Sequence, residues 1–125
     1  MLDKNEVYST LDKIKNKFPN VGNTLYCEYE FEEDLVVEVN QAYHWCVNVA
    51  LTYPLRKSLN TSSTSYAIKH IIEKWLKLGN SINSNTTPYI SNLAAIIAFK
   101  LCDINCHIID NQNRAYTNIS QKALT

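Results

Sequence analysis

Residues 91–102 read Ser-Asn-Leu-Ala-Ala-Ile-Ile-Ala-Phe-Lys-Leu-Cys. Apolar side chains occupy every position from Leu93 to Leu101 except Lys100, so no face of a helix here is polar. A helix that is apolar all round belongs at the centre of a core. Ser91 or Asn92 is suited to cap it. The run is far too short to span a bilayer, and the remaining elements are expected to pack around it.

Upstream, residues 65–78 place Ala67, Ile68, Ile71, Ile72, Trp75 and Leu76 on a helical arc. Thr64 or Ser65 is the candidate N-cap, and Gly79 the candidate C-terminal glycine. On this reading Lys69, Glu73 and Lys77 lie four apart on the solvent face. Downstream, Cys106 and Ile108 form a short strand, Asp110–Asn113 a turn and Ala115–Ser120 a returning strand. Residues 58–65 (SLNTSSTS) read as a polar linker, and residues 80–88 as a loop.

The first half carries two further periodicities. Val7, Leu11, Ile14 and Phe18 form one stripe of a helix over 3–18, opened by Asp3 and stopped by Pro19. Leu25, Cys27, Tyr29 and Phe31 alternate with Tyr26, Glu28 and Glu30, a strand over 24–31. From Asp34 the spacing becomes helical to residue 52, although the β-branched residues within 35–39 also suit an extended strand. The expected class is α+β and mainly helical: four helices, one N-terminal strand and a C-terminal β-hairpin. One domain over 1–125 is expected, with a helix-strand-helix part (1–57) and a two-helix-plus-hairpin part (64–120).

The chain has 125 residues, with 12 Lys+Arg and 12 Asp+Glu. The zero net charge conceals a partition. Residues 1–20 carry net +1. Residues 21–55 carry six acids, Glu28, Glu30, Glu32, Glu33, Asp34 and Glu38, and no base. Residues 56–125 carry net +5. Helix-dipole stabilisation accounts for acids at a helix start, such as Glu33 and Asp34. It leaves Glu28 and Glu30, which share a strand face and repel each other. These six acids are the candidate surface for a basic partner.

Two glycines exclude a P-loop and a dinucleotide fingerprint. The N-terminus lacks the basic-then-apolar pattern of a secretory signal, so the expected setting is the cytoplasm and the four cysteines are expected as core thiols. No CxxC occurs. His44 and Cys46 project about 200° apart on a helix and do not converge on a metal. No metal or other cofactor is expected, and no nucleophile signature is present. The order helix, loop, helix, hairpin also matches a winged helix, with Lys69, Lys74, Lys77 and Arg114 as candidate phosphate contacts.

The second half resembles small proteins of bacteriophages and mobile elements that share the pattern SYxxKHxxE, then YxSNxxxIxA, then NAYxNIS. The matching residues are Ser65, Tyr66, Lys69, His70 and Glu73; Tyr89, Ser91, Asn92, Ile96 and Ala98; and Ala115, Tyr116, Asn118, Ile119 and Ser120. Where such proteins often have Gly after the Ser-Asn pair this chain has Leu93, and where they have Gly-Phe after the second helix it has Asp103-Ile104. The resemblance, with small size and the acidic block, implies a non-enzymatic inhibitor of a host defence system, of the anti-CRISPR kind. Its partner would be a host nuclease or its complex, bound by charge mimicry in the host cytoplasm. A winged-helix DNA-binding regulator is the alternative, with nucleic acid as partner. No membrane is involved in either.

Overall fold

A computed structural model of the chain describes residues 2–17, 32–82, 88–109 and 114–125, with backbone alone at 32 and 33. The expected strand over 24–31 lies outside the described residues, as does the turn over 110–113.

Helix α1 spans Lys4–Lys17 and buries Val7, Leu11 and Ile14, the stripe its spacing predicts. Asp3 caps it, its Oδ1 accepting the Glu6 N–H at 2.9 Å. Helix α2 spans Glu32–Asn48, followed by a 3₁₀ turn at Ala50–Thr52. Residues 35–39 are therefore helical. Leu35 and Val39 face the core one turn apart, and that continuity with Ala42, Trp45 and Cys46 outweighs β propensity. Asn40 ties the chain start to α2: its side chain accepts from Leu2 N–H at 2.8 Å and donates to the Leu2 carbonyl at 3.1 Å.

Strand β1 (Asn60–Thr64) leads directly into helix α3 (Ser65–Trp75). Helix α4 (Asn92–Leu101) precedes the hairpin of β2 (Cys106–Ile109) and β3 (Arg114–Thr117). The sheet is antiparallel in the order β1-β3-β2, pairing Ile108 with Ala115 and Cys106 with Thr117. Four helices and a three-stranded sheet with a terminal hairpin make the protein α+β among the described residues.

Strand β1 replaces the predicted polar linker. Its sequence has no apolar alternation because it is an edge strand whose buried anchor is an amide. Asn60 is 1% exposed. Its side chain donates to Gln121 Oε1 at 2.9 Å and accepts from Ser62 N–H at 3.0 Å. Buried polar groups persist when hydrogen-bonded in this way.

Helix α4 is the centre of the core, as its composition requires. Every residue from Leu93 to Phe99 is buried. Helix α2 is its most extensive neighbour, with α1, α3 and β2 also against it. Its end is closed by Asp103, which adopts a left-handed backbone (φ 57°), while Ile104 N–H returns to the Phe99 carbonyl at 2.9 Å. Such a stop usually uses glycine, and Asp is among the few alternatives. Helix α3 widens into a π-turn at Leu76–Asn80 and closes on Gly79 at φ 98°. Among the described residues no helix is long and apolar enough to cross a membrane.

Candidate functional site

The starts of α3 and α4 meet beside the start of β3. Thr64 caps α3, accepting from Ala67 N–H, and Ser91 caps α4, accepting from Ala94 N–H at 3.0 Å. Ser65 joins all three elements. Its hydroxyl donates to Asn92 Oδ1 at 2.8 Å and accepts from Ala115 N–H at 2.9 Å. Residues separated by fifty positions in sequence are thereby brought to one place.

Beneath this junction lies a buried ion pair. Lys69 and Glu73 are 6% and 8% exposed, and Lys69 Nζ stands 3.5 Å from Glu73 Oε2. The predicted solvated string is therefore wrong for these two residues. Helix α3 is rotated so that Ile68, Ile72 and Leu76 face the core while Lys69 and Glu73 face the backbone of Ile90, just before α4. The reason is the backbone of Ile90: its carbonyl accepts from Lys69 Nζ at 3.1 Å, and its N–H donates to Glu73 Oε2 at 3.1 Å. The pair replaces water for a backbone segment that has no sheet partner.

Above the pair lies an exposed aromatic and cationic face. Lys69 Nζ stands 4.8 Å from the Tyr89 ring centroid and 5.5 Å from that of Tyr66. The Arg114 guanidinium lies 4.9 Å from the Tyr66 centroid. His70 meets Tyr66 edge-on at 4.7 Å, and its Nδ1 is 2.9 Å from Glu73 Oε1. Tyr66 is 43% and Tyr89 52% exposed. Arg114, beside Tyr66, is exposed, and Lys74 and Lys77 are exposed further along α3 and its π-turn. Both Glu73 oxygens are engaged, and the Lys69 ammonium is held by a carboxylate and a carbonyl. The arrangement fixes ring planes and charge positions.

Comparison with protein-family models, with curated proteins and with solved structures finds no match for the chain. The reading of this site therefore rests on its geometry.

Of the candidate phosphate contacts, Lys74, Lys77 and Arg114 are exposed, whereas Lys69 is buried in its pair and is not available to a phosphate. In the winged-helix alternative the recognition helix would be α4, in which every residue from Leu93 to Phe99 is buried. Among the candidate acids, Asp34 is exposed on α2. Glu38 is half-buried, and its Oε1 accepts the Ser91 N–H at 2.6 Å at the start of α4. Glu28 and Glu30 lie outside the described residues, as do the side chains of Glu32 and Glu33.

Sequence pattern does not single out the tyrosine face, because Tyr66 and Tyr89 look like ordinary packing residues. His44 also has an ordinary role: its ring packs against Trp75 at 5.3 Å and meets Asn48 at 3.0 Å. Among the described residues no group of three His, Cys, Asp or Glu side chains is placed to hold a metal. A cleft of about 380 Å³ opens at the other end of α4, with Lys13, Lys17 and Lys100 on its walls. Lys17 and Lys100 occupy the last turns of α1 and α4, where they complement the helix dipoles.

The thiols form a second cluster. Burial pushes Cys46 well above its ordinary value and Cys106 up to about 12. Cys102 is lowered, chiefly because the Cys46 thiol donates a hydrogen bond to it. Above about pH 8.5 the unfolded chain releases the Cys46 and Cys106 protons while the folded chain retains them. The stability they contribute is thus complete below that pH and falls as pH rises, by about 1.4 kcal/mol per unit for each thiol. Cys102 acts in the opposite sense and offsets part of this. The melting temperature is expected to drop by several degrees from pH 8.5 to 10 in a reducing buffer. Cys106→Ala should flatten that drop.

Proposed function

We propose that the chain is a non-catalytic accessory protein, of the bacteriophage or mobile-element kind, that binds single-stranded nucleic acid in the host cytoplasm. The observation that carries this reading is the pair of half-exposed tyrosines, Tyr66 and Tyr89, held by Lys69 and Arg114. Aromatic rings beside cationic groups are what a single strand needs: bases stack on the rings while the cations meet phosphates. Lys74, Lys77 and Arg114 supply the phosphate contacts. Lys69 serves from below by fixing the rings. The burial of α4 favours stacking over groove reading as the mode of recognition.

Fluorescence anisotropy with a labelled oligothymidine at low salt tests this. Each stacked base is worth about 1–3 kcal/mol, so Tyr66→Ala combined with Tyr89→Ala is expected to weaken binding by about a hundredfold. Lys74→Ala with Lys77→Ala should reduce the slope of log affinity against log salt by roughly 1.4. Absence of binding at low salt overturns the proposal.

A second reading is favoured by the charge partition, six acids and no base over residues 21–55. In it the acidic segment occupies the basic channel of a host defence nuclease. The same assay separates the two readings. In the second, the oligonucleotide does not bind, and Glu28→Lys with Glu30→Lys and Glu32→Lys abolishes capture of a nuclease effector from host lysate.

A further inference from the structure

His70 takes no part in the stacking or the phosphate contacts described above, yet it stands among them. It lies one turn after Tyr66 on α3, and its side chain is 53% exposed. Its ring meets that of Tyr66 nearly at right angles (87°), with centroids 4.7 Å apart. Its Nδ1 lies 2.9 Å from Glu73 Oε1. Glu73 is itself held, its Oε2 accepting the Ile90 N–H and pairing with Lys69. The imidazole is therefore gripped at one nitrogen by a buried carboxylate and braced by an aromatic ring.

This grip decides what the other nitrogen does. An ionised carboxylate only accepts, so the proton of the neutral ring sits on Nδ1. Nε2, on the opposite side of the ring, then carries a lone pair. Protonation places a second N–H there and a positive charge on the ring. A group that repels a phosphate oxygen becomes one that donates to it, with no movement of the ring.

We propose that His70 is a proton-gated phosphate contact, through which the tyrosine face binds a single strand more tightly as pH falls. This rests on the single-strand reading of that face. The group it meets is a phosphodiester of the strand stacked there: His70 adjoins Tyr66, and the Tyr66 and Tyr89 rings both lie within 5.5 Å of the one Lys69 ammonium. The charged and titratable groups around His70 come from three elements. On α3 they are Tyr66, Glu73, Lys69 beside Glu73, and Lys74 one turn on. On β3, Arg114 lies 4.9 Å from the Tyr66 centroid, and before α4 the Tyr89 ring meets Lys69. Imidazole is the side chain among these types whose ordinary charge change falls between pH 5 and 8. An anionic ligand favours the cationic ring, so affinity rises as the pH drops through that window.

The test is fluorescence anisotropy with labelled oligothymidine at about pH 8 and about pH 5.5, the two sides of the imidazole range, over a series of salt concentrations. Neither thymine nor the phosphodiester changes charge between these values. In the parent, affinity is expected to rise about tenfold at the lower pH as a charged hydrogen bond to phosphate is gained. The slope of log affinity against log salt should steepen by about 0.7, one further phosphate neutralised on a single strand. His70→Gln should show neither change, although His44 and His107 remain. His70→Lys, cationic throughout, should show the steeper slope already at the higher pH, a gain that unfolding cannot produce. His107→Gln, on β2, should keep the parent's pH profile. Parent binding that does not change with pH, or a pH dependence that survives His70→Gln, overturns the proposal and leaves the single-strand reading standing. Absence of binding at both pH values overturns both.

Discussion

Glu73→Ala is expected to cost about 3–5 kcal/mol of folding stability, the penalty of leaving a buried charge without its partner. The Lys69 ammonium, 6% exposed, would keep the Ile90 carbonyl and the Tyr66 and Tyr89 rings beside it but no counter-charge. The Ile90 N–H would lose its acceptor as well. Urea denaturation at pH 7 measures this directly. An exposed i,i+4 pair would cost only about 0.5 kcal/mol, so the magnitude itself distinguishes the buried arrangement from a solvated one. Glu73→Gln is expected to lose less, because an amide oxygen still accepts from Ile90. Replacing both partners, Lys69→Met with Glu73→Leu, should recover part of the loss by removing the stranded charge. It should not recover all of it, since Ile90 then has neither donor nor acceptor.

The same pair shows where reading from sequence reaches its limit. Helix α4 was legible because its composition admits one environment: seven successive apolar residues have no solvent side. Helix α1 was legible because its stripe and its Asp3 cap agree. Helix α3 was placed correctly, but its orientation was not. Lys69 and Glu73 four residues apart look the same whether the pair faces water or a distant backbone segment, and the segment at Ile90 lies seventeen positions away. Strand β1 failed for a related reason. Its Asn60 is buried through hydrogen bonds to residues about sixty positions downstream, and periodicity registers apolar burial only. Glu38 repeats the pattern, an acid spent on the cap of α4. Ser65, Lys69, Glu73 and Asn92 bond to one another or to the segment between them, with Tyr66, His70 and Tyr89 around them. Together they make a junction and the surface that the junction supports.

Ser65→Ala is the simplest probe of that junction, and it is expected to cost about 2–4 kcal/mol. Ser65 is fully buried. Its loss strands the Ala115 N–H and removes the donor to Asn92 Oδ1, and each buried group left unsatisfied costs about 1–3 kcal/mol. Ala115 is itself fully buried, so water cannot easily substitute. A double-mutant cycle with Asn92→Ala should return a coupling of about 1 kcal/mol, as expected for two groups in direct contact. The same substitution reports on function. Arg114 adjoins Ala115, and the bond from Ala115 to Ser65 sets how β3 sits against α3, hence how the Arg114 guanidinium meets the Tyr66 ring. Under conditions where the variant remains folded, its affinity for oligothymidine should fall several-fold although Ser65 touches no ligand. Unchanged affinity in a folded, destabilised variant would show that the ring and guanidinium do not act as a fixed unit, and the stacking platform would have to rest on Tyr89 alone.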